Sequence, residues 1–319
     1  GNIALMEETE DELRRDFAAW QAAGDGAVDH EFTAFCRANA SWVEPYSTFM
    51  AIKRALLETP RSEWPAELQT YDPAFLTDAR FAREAKIQAY LQYRFERAWR
   101  DTRAYAHARG IQIVGDIPMY VADDSADVWA APELFSLDRD GRPTQIAGAP
   151  PDGFAPEGQI WGNPTYRWDA MKADGYRWWL ARLRRACSLY DRVRLDHFLG
   201  FHNYFSIPAG QKGNAGRWLP GPGRELFELA ARELGPLPFI AEDLGILTPG
   251  VRSLMASCGF AGMDVLEFSD YDVREGLHPH PGKVFYTSTH DTSTLVGFCT
   301  RSFQSMGTLL GGRELAAEL

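Results

Sequence analysis

The chain has 319 residues, 45% of them hydrophobic and 24% charged, enough for one large α/β barrel or two smaller domains around a sizeable core. Its formal net charge is −11 with acids and bases interspersed, which argues against nucleic acid, whose phosphates demand a basic stripe, and against anionic membrane surfaces. Cys36, Cys187, Cys258 and Cys299 lack metal spacing, the first residues lack a secretory pattern, and no apolar run reaches the ~20 residues of a membrane helix, so the expectation is a cytoplasmic protein with free thiols.

Residues 7–23 read as a helix with Leu13, Phe17 and Trp20 on one stripe, broken at Gly24-Asp25-Gly26. A second helical stretch covers about 30–57, with Phe32, Phe35, Trp42, Phe49 and Leu56 as buried positions. Residues 60–77, with Pro60, Pro65 and Pro73, read as loop and short turns. A long helix over about 78–108 carries Ile87, Tyr90, Leu91, Phe95, Ala98 and Trp99 on its apolar side and stops at Gly110. From there the pattern changes to short apolar runs, Ile111–Val121, Arg192–Phe201, Pro238–Leu244, Met263–Phe268 and Val284–Thr289, separated by helices over 176–189, 224–234 and 248–257. Thr248 is the N-cap of the last helix and Pro249 its first residue. Continuous apolar strands alternating with helices indicate a parallel sheet covered on both faces. Residues 122–175 are rich in Pro, Gly and Asp and too long for an ordinary connection; loops of that length usually carry function.

In a (β/α)8 barrel the active site lies at the C-terminal ends of the strands, and Asp116, Asp196, Glu242 and Asp291 all sit at or just past such ends. Arg194 and Asp196 are two apart on a strand and face the same side. A guanidinium beside a carboxylate favours the ionised form, and an ionised, positioned Asp can attack an anomeric carbon. Glu242 closes the run Leu237–Ala241, where desolvation favours a protonated carboxyl suited to general acid work. Asp243 is expected to point the other way. Asp291 can bond adjacent sugar hydroxyls, and His290 another. Each also has a plain reading when taken alone: a strand-end ion pair for Arg194 and Asp196, a rim or capping carboxylate for Glu242, a solvated loop pair for His290 and Asp291, a satisfied histidine under the rim for His197. Their succession in chain order, each at a strand end, points to glycoside chemistry, which needs one carboxylate to attack or stabilise an oxocarbenium-like carbon and another to protonate the leaving oxygen. No His, Cys or carboxylate cluster has metal spacing, and no Gly-rich phosphate loop follows any strand.

These segments resemble the amylomaltases, the 4-α-glucanotransferases of the α-amylase clan. The likeness runs from about Trp42 to Gly297. It rests on Gly115-Asp116-Ile117-Pro118-Met119-Tyr120-Val121 with Asp124–Trp129, on Ala147–Asp152 followed by Gly158-Gln159-Ile160-Trp161-Gly162-Asn163-Pro164, on Arg194–Phe198, on Ala241–Gly245, and on Thr289-His290-Asp291. The resemblance implies a (β/α)8 TIM-type barrel, of which about five strands are recognisable. The chain is expected to divide into a mainly helical subdomain over 1–108, the partial barrel over 109–300 with a substrate-covering insertion at about 122–175, and a tail over 301–319 that does not resemble the family's continuation. It makes Asp196 the nucleophile, Glu242 the general acid/base and Asp291 the transition-state stabiliser. Arg194, His290 and Asp116 would hold the donor sugar, Trp161 and Phe154 would line the acceptor path, and His197 would contact substrate.

The implied activity is transfer of α-1,4-glucan segments between malto-oligosaccharides by a retaining double displacement, without metal or organic cofactor. A retaining mechanism needs the nucleophile and acid about 5–5.5 Å apart. A hydrolase of the same clan and an inactive glucan-binding fragment are the competing readings. Gly153 stands where the family tends to have an aromatic residue, Thr292-Ser293-Thr294 where it usually has Asn-x-Thr, and Leu219-Pro220 in a segment that often carries Lys. The unmatched strands lead us to expect a fragment of a longer protein.

Overall fold

The protein is described from a computed structural model covering residues 2–24, 26–153, 155–245, 247–268 and 280–301, with the side chains of 2–7 and 26–29 left aside. The first part is helical: α1 (Asn2–Ala23), α2 (Gly26–Ala38), α3 (Ala40–Ala55) and α4 (Ala82–His107). The stretch expected as one helix over 30–57 is two. Asn39 breaks it, its side chain donating to the Phe35 carbonyl and accepting from the Trp42 indole, the local bonding by which Asn competes with helix backbone. Phe17, Trp20, Phe32, Phe35, Tyr90 and Tyr93 form the aromatic core between these helices. The buried side of α4 is Ala85, Ala89, Tyr90 and Tyr93; Phe95, expected on it, is exposed.

The remainder alternates strand and helix. Strands β1 (Val114–Ile117), β4 (Arg192–Leu195), β7 (Phe239–Ala241), β8 (Gly262–Val265) and β9 (Lys283–Tyr286) fall within or against the five apolar runs. They run parallel, β1 beside β4, β4 beside β7, and β8 beside β9. A single parallel bridge, Ile240 to Ala261, joins the two groups. Helices α7 (Arg177–Leu189), α8 (Arg224–Leu234) and α9 (Pro249–Cys258) supply the cover. Trp179, Leu183, Leu226, Phe227, Val251 and Leu254 pack with Val193, Leu195, Phe239 and Ala241 of the sheet. On β1 the close approach needs glycine: a Cβ on Gly115 would sit 2.0 Å from the Tyr190 ring. On the opposite face Ile240, Met263 and Val265 cluster with Val284 and Tyr286.

The stretch 122–175 is not a loose loop. It holds α5 (Ala126–Ala130), β2 (Gln145–Ala149), β3 (Gln159–Pro164) and α6 (Trp168–Ala173). Strands β2 and β3 join β5 (Asn203–Pro208) and β6 (Arg217–Pro220) in an antiparallel sheet ordered β3-β2-β5-β6. Two excursions from the parallel sheet, one after β1 and one after β4, thus fold on each other above the strand ends. Among the described residues no helix is long and apolar enough to cross a membrane.

Candidate active site

Arg194 is the centre of the site. It lies on β4, buried, between the registered positions Asp116 on β1 and Ile240 on β7. Its Nη1 donates to Asp116 at 2.7 and 2.9 Å and lies 2.9 Å from the Asp196 carboxylate. Its Nη2 is 4.0 Å from the carboxylate of Asp291, and its Nε contacts Met263 Sδ at 3.3 Å. Although burial opposes its charge most strongly, Asp116, Asp196 and Glu242 together raise its pKa, so the guanidinium stays charged.

Glu242 is the first residue past β7, and its own backbone N–H continues the ladder to the Leu195 carbonyl. The residue as a whole is buried, 8% exposed, whereas the side chains of Asp116 and Asp196 keep 37% of their surface. Oε2 accepts from the His197 N–H and Oε1 from the Leu244 N–H, both at 2.9 Å. Burial raises its pKa above the ordinary Glu value, Asp196 adds to the rise, and the two N–H donors and Arg194 oppose it. Two carboxyls on neighbouring strands thus sit in different surroundings, one in a salt bridge at the surface of the cleft and one withdrawn from water.

His197 follows in a left-handed conformation, φ 47°, which turns the chain out of β4 and aims its N–H at Glu242. Burial lowers the imidazole pKa to about 4, so the ring is neutral at pH 7. Trp161 on β3 stands edge-on to it with centroids 4.8 Å apart, and Tyr120 lies 6.4 Å from it. Past β9, His290 and Asp291 are 68% and 63% exposed and pair with each other at 3.2 Å.

The segments that sequence reasoning singled out therefore meet in space. Asp116, Arg194, Asp196, Glu242 and His197 form one cluster, with Asp291 at its edge and His290 and Trp161 flanking it. Phe154 lies outside the described residues, as do residues 302–319 of the tail. The sequence assigns no task to Tyr120, and it marks Asp243 only as the carboxylate facing away from Glu242. Tyr120 stands in the segment after Asp116, where nothing in the sequence distinguishes its side chain. Asp243 does turn away from Glu242, as the strand alternation expected. Its carboxylate accepts from the Met263 N–H at 2.6 Å and pairs with Lys283 at 2.7 Å.

The 4-alpha-glucanotransferase family matches residues 4–314. The 4-alpha-glucanotransferase of Thermus thermophilus is 41% identical over 295 residues, 90% of this chain and 59% of the relative. That of Streptococcus pneumoniae is 44% identical over 276 residues, 84% of this chain and 55% of the relative. Among solved structures, the amylomaltase from Streptococcus agalactiae in complex with acarbose superposes with a TM-score of 0.83 at 35% identity, covering 92% of this chain and 60% of its own. The chain thus spans little more than half the length of the relatives it matches. The likeness makes its fold α/β of the TIM-barrel kind, although the described strands form an open arc and no closed barrel. With the match running nearly end to end, the chain belongs to the 4-alpha-glucanotransferase family.

Proposed function

We propose that the cleft transfers α-1,4-glucan segments between malto-oligosaccharides. The observation that carries this is the gathering of Asp196, Asp116 and Asp291 around Arg194, with Glu242 withdrawn from water one strand away. In this reading the Asp196 carboxylate attacks C1 of the donor sugar. Glu242 gives its proton to the departing glycosidic oxygen, and a glycosyl ester forms on Asp196. The 4-hydroxyl of an incoming chain then attacks C1, Glu242 takes its proton, and the ester bond breaks to restore Asp196. Asp291 stabilises the distorted ring. Arg194, Asp116 and His290 hold the donor unit; Trp161, His197 and Phe154 border the acceptor. The chemistry calls for no cofactor, and neither nucleic acid nor a membrane enters as partner.

The same reading extends to the architecture. Residues 1–108 are a helical subdomain and 109–300 an arc of the eight-stranded barrel, with 122–175 as its cover. Support comes from the sheet edges: among the described residues the outer edges of β1 and β9 are unpaired, and Ile111 and Val114 at β1 are exposed. Three further strands would close such an arc.

Incubating the chain with maltotriose tests the chemistry. Glucose together with a ladder of longer oligomers is expected, and Asp196→Asn should abolish the ladder while leaving the circular dichroism unchanged. Shortened products alone would replace transfer by hydrolysis. A fully active Asn variant would remove Asp196 from its role.

A further inference from the structure

Tyr120 and His197 carry an unusual pair of atoms. The Tyr120 hydroxyl and His197 Nε2 are both buried, and among the described residues neither has a hydrogen-bond partner. Tyr120 as a whole is 7% exposed. Buried polar groups in native proteins are nearly always satisfied, and an orphan asks for a reason. Folding does not lack alternatives here. The neighbouring Tyr166 hydroxyl donates to the Met119 carbonyl at 2.6 Å, and the two phenol rings are stacked with centroids 5.7 Å apart. One tyrosine of the stack is tied to backbone and the other is left open.

His197 is tied to Glu242 through its backbone N–H, which Glu242 Oε2 accepts, and the Tyr120 ring lies beside its imidazole with centroids 6.4 Å apart. Trp161 covers them, edge-on to His197 at 4.8 Å and tilted over Tyr120 at 6.1 Å. Trp161 is 36% exposed, and among the described residues its indole N–H donates to Gln159, two residues away on the same strand. Nothing in that bond fixes the indole to Tyr120 or His197. The chemistry of the two atoms is complementary. A buried phenol keeps its proton and donates. A neutral imidazole with its proton on Nδ1 accepts at Nε2.

We propose that the Tyr120 hydroxyl and His197 Nε2 together bind one hydroxyl of the α-glucan unit beside Glu242, and that Trp161 is the movable cover that gives the sugar access. Tyr120 is then a substrate-binding residue, held ready by its stack on Tyr166. This rests on the glucan reading of the cleft.

The test is Tyr120→Phe in the full chain, with maltotetraose as probe. Calorimetric affinity and thermal midpoint are both measured, and Tyr166→Phe serves as a stability control. An orphaned hydroxyl gives Tyr120→Phe a midpoint equal to or above that of the unsubstituted chain, while Tyr166→Phe lowers it. Maltotetraose affinity should fall about tenfold in Tyr120→Phe, the size expected for one lost hydrogen bond left unpaired on the sugar, and stay within twofold in Tyr166→Phe. An unchanged affinity in Tyr120→Phe, with the unsubstituted chain binding normally, overturns the proposal alone. A lowered midpoint in Tyr120→Phe also overturns it, since the hydroxyl then has a structural partner. An unsubstituted chain that binds no maltotetraose overturns this proposal and the glucan reading together.

Discussion

Asp243→Ala is the substitution that should most loosen the sheet without touching a residue assigned to the chemistry. The Asp243 side chain is 2% exposed and ties three strands: it follows β7, accepts from the Met263 N–H in β8, and pairs with Lys283 in β9. Lys283 in turn donates to the Met263 carbonyl at 3.0 Å. Among the described residues, one backbone bridge otherwise joins β7 to the start of β8. Space for the carboxylate comes from Gly262, where a Cβ would lie 2.5 Å from Oδ2. Alanine leaves the buried Met263 N–H without its partner, costing about 1–3 kcal/mol. Breaking a buried ion pair costs about 3–5 kcal/mol, but Lys283 is 32% exposed and water can recover much of its share. The expected loss is about 3 kcal/mol. Urea unfolding at pH 7 measures it, and hydrogen exchange locates it: peptides spanning 262–265 and 283–286 should lose protection while those in β1 and β4 keep theirs. A loss under about 1 kcal/mol, or uniform deprotection of the whole sheet, would refute the idea that Asp243 holds these strands together.

Three further outcomes follow from single residues. His197 has its pKa lowered to about 4 while the unfolded chain's histidine titrates near 6.5, so its contribution is present above pH ~6.5 and is lost as pH falls toward 4, by up to about 3 kcal/mol at 1.36 kcal/mol per unit. His197→Asn, which tolerates the left-handed backbone, should flatten stability measured between pH 6.5 and 4; an unchanged slope would locate the acid sensitivity elsewhere. Leu57 is 88% exposed at φ 52°, so Leu57→Gly should raise stability by about 0.5–1 kcal/mol, the left-handed strain removed less the added unfolded-state entropy, and a lowered thermal midpoint would mean the turn is not strained. Glu242 must be protonated to act as an acid, and its pKa is raised chiefly by burial. Transfer should therefore hold up through the ordinary Glu range and decline as pH rises through the elevated value; a decline centred at the pKa of a solvated Glu would show the burial to be absent in solution.

The parallel strands were legible because a strand covered on one face and packed on the other reads as an unbroken apolar run. Arg194-Leu195-Asp196 and Ala241-Glu242 were legible for a related reason: charge placed directly after such a run has to emerge at the strand end. The antiparallel sheet was not. Gly148 and Gly162 interrupt two of its strands, Pro164, Pro208 and Pro220 end three of them, and β6 is mostly exposed, so neither alternation nor an apolar run marks them. Their pairing is decided by contacts far apart in sequence, Gln145 with Pro208 and Asn203 with Pro220. Phe95 misled because α4 is 26 residues long and its later turns extend beyond the aromatic core packed on its first half. The tasks of Tyr120 and Asp243 were invisible because they depend on which hydrogen bonds are made or missing in space.

The site divides unevenly between firm and loose parts of this fold. Asp116, Arg194, Asp196 and Glu242 come from adjacent strands β1, β4 and β7, whose registers are fixed by continuous backbone ladders and whose outer face is packed on α7, α8 and α9. Their relative positions need nothing beyond those strands. Asp291 and His290 are different. They hang from β9, which pairs with β8 and, among the described residues, is tied to the earlier strands by one backbone bridge from β8, the Asp243 carboxylate and the packing of Val284 and Tyr286 in the cluster that holds Ile240. Asp291 reaches Arg194 only at 4.0 Å and is mostly exposed. On the proposed reading, Asp196 and Glu242 are thus preorganised by the strands that carry them, while ring distortion by Asp291 would depend on how β9 is held. A strand covering the edge of β9 that is unpaired among the described residues should accordingly raise turnover more than sugar affinity: of the groups assigned to gripping the donor it steadies His290 alone, while Arg194 and Asp116 are already in place.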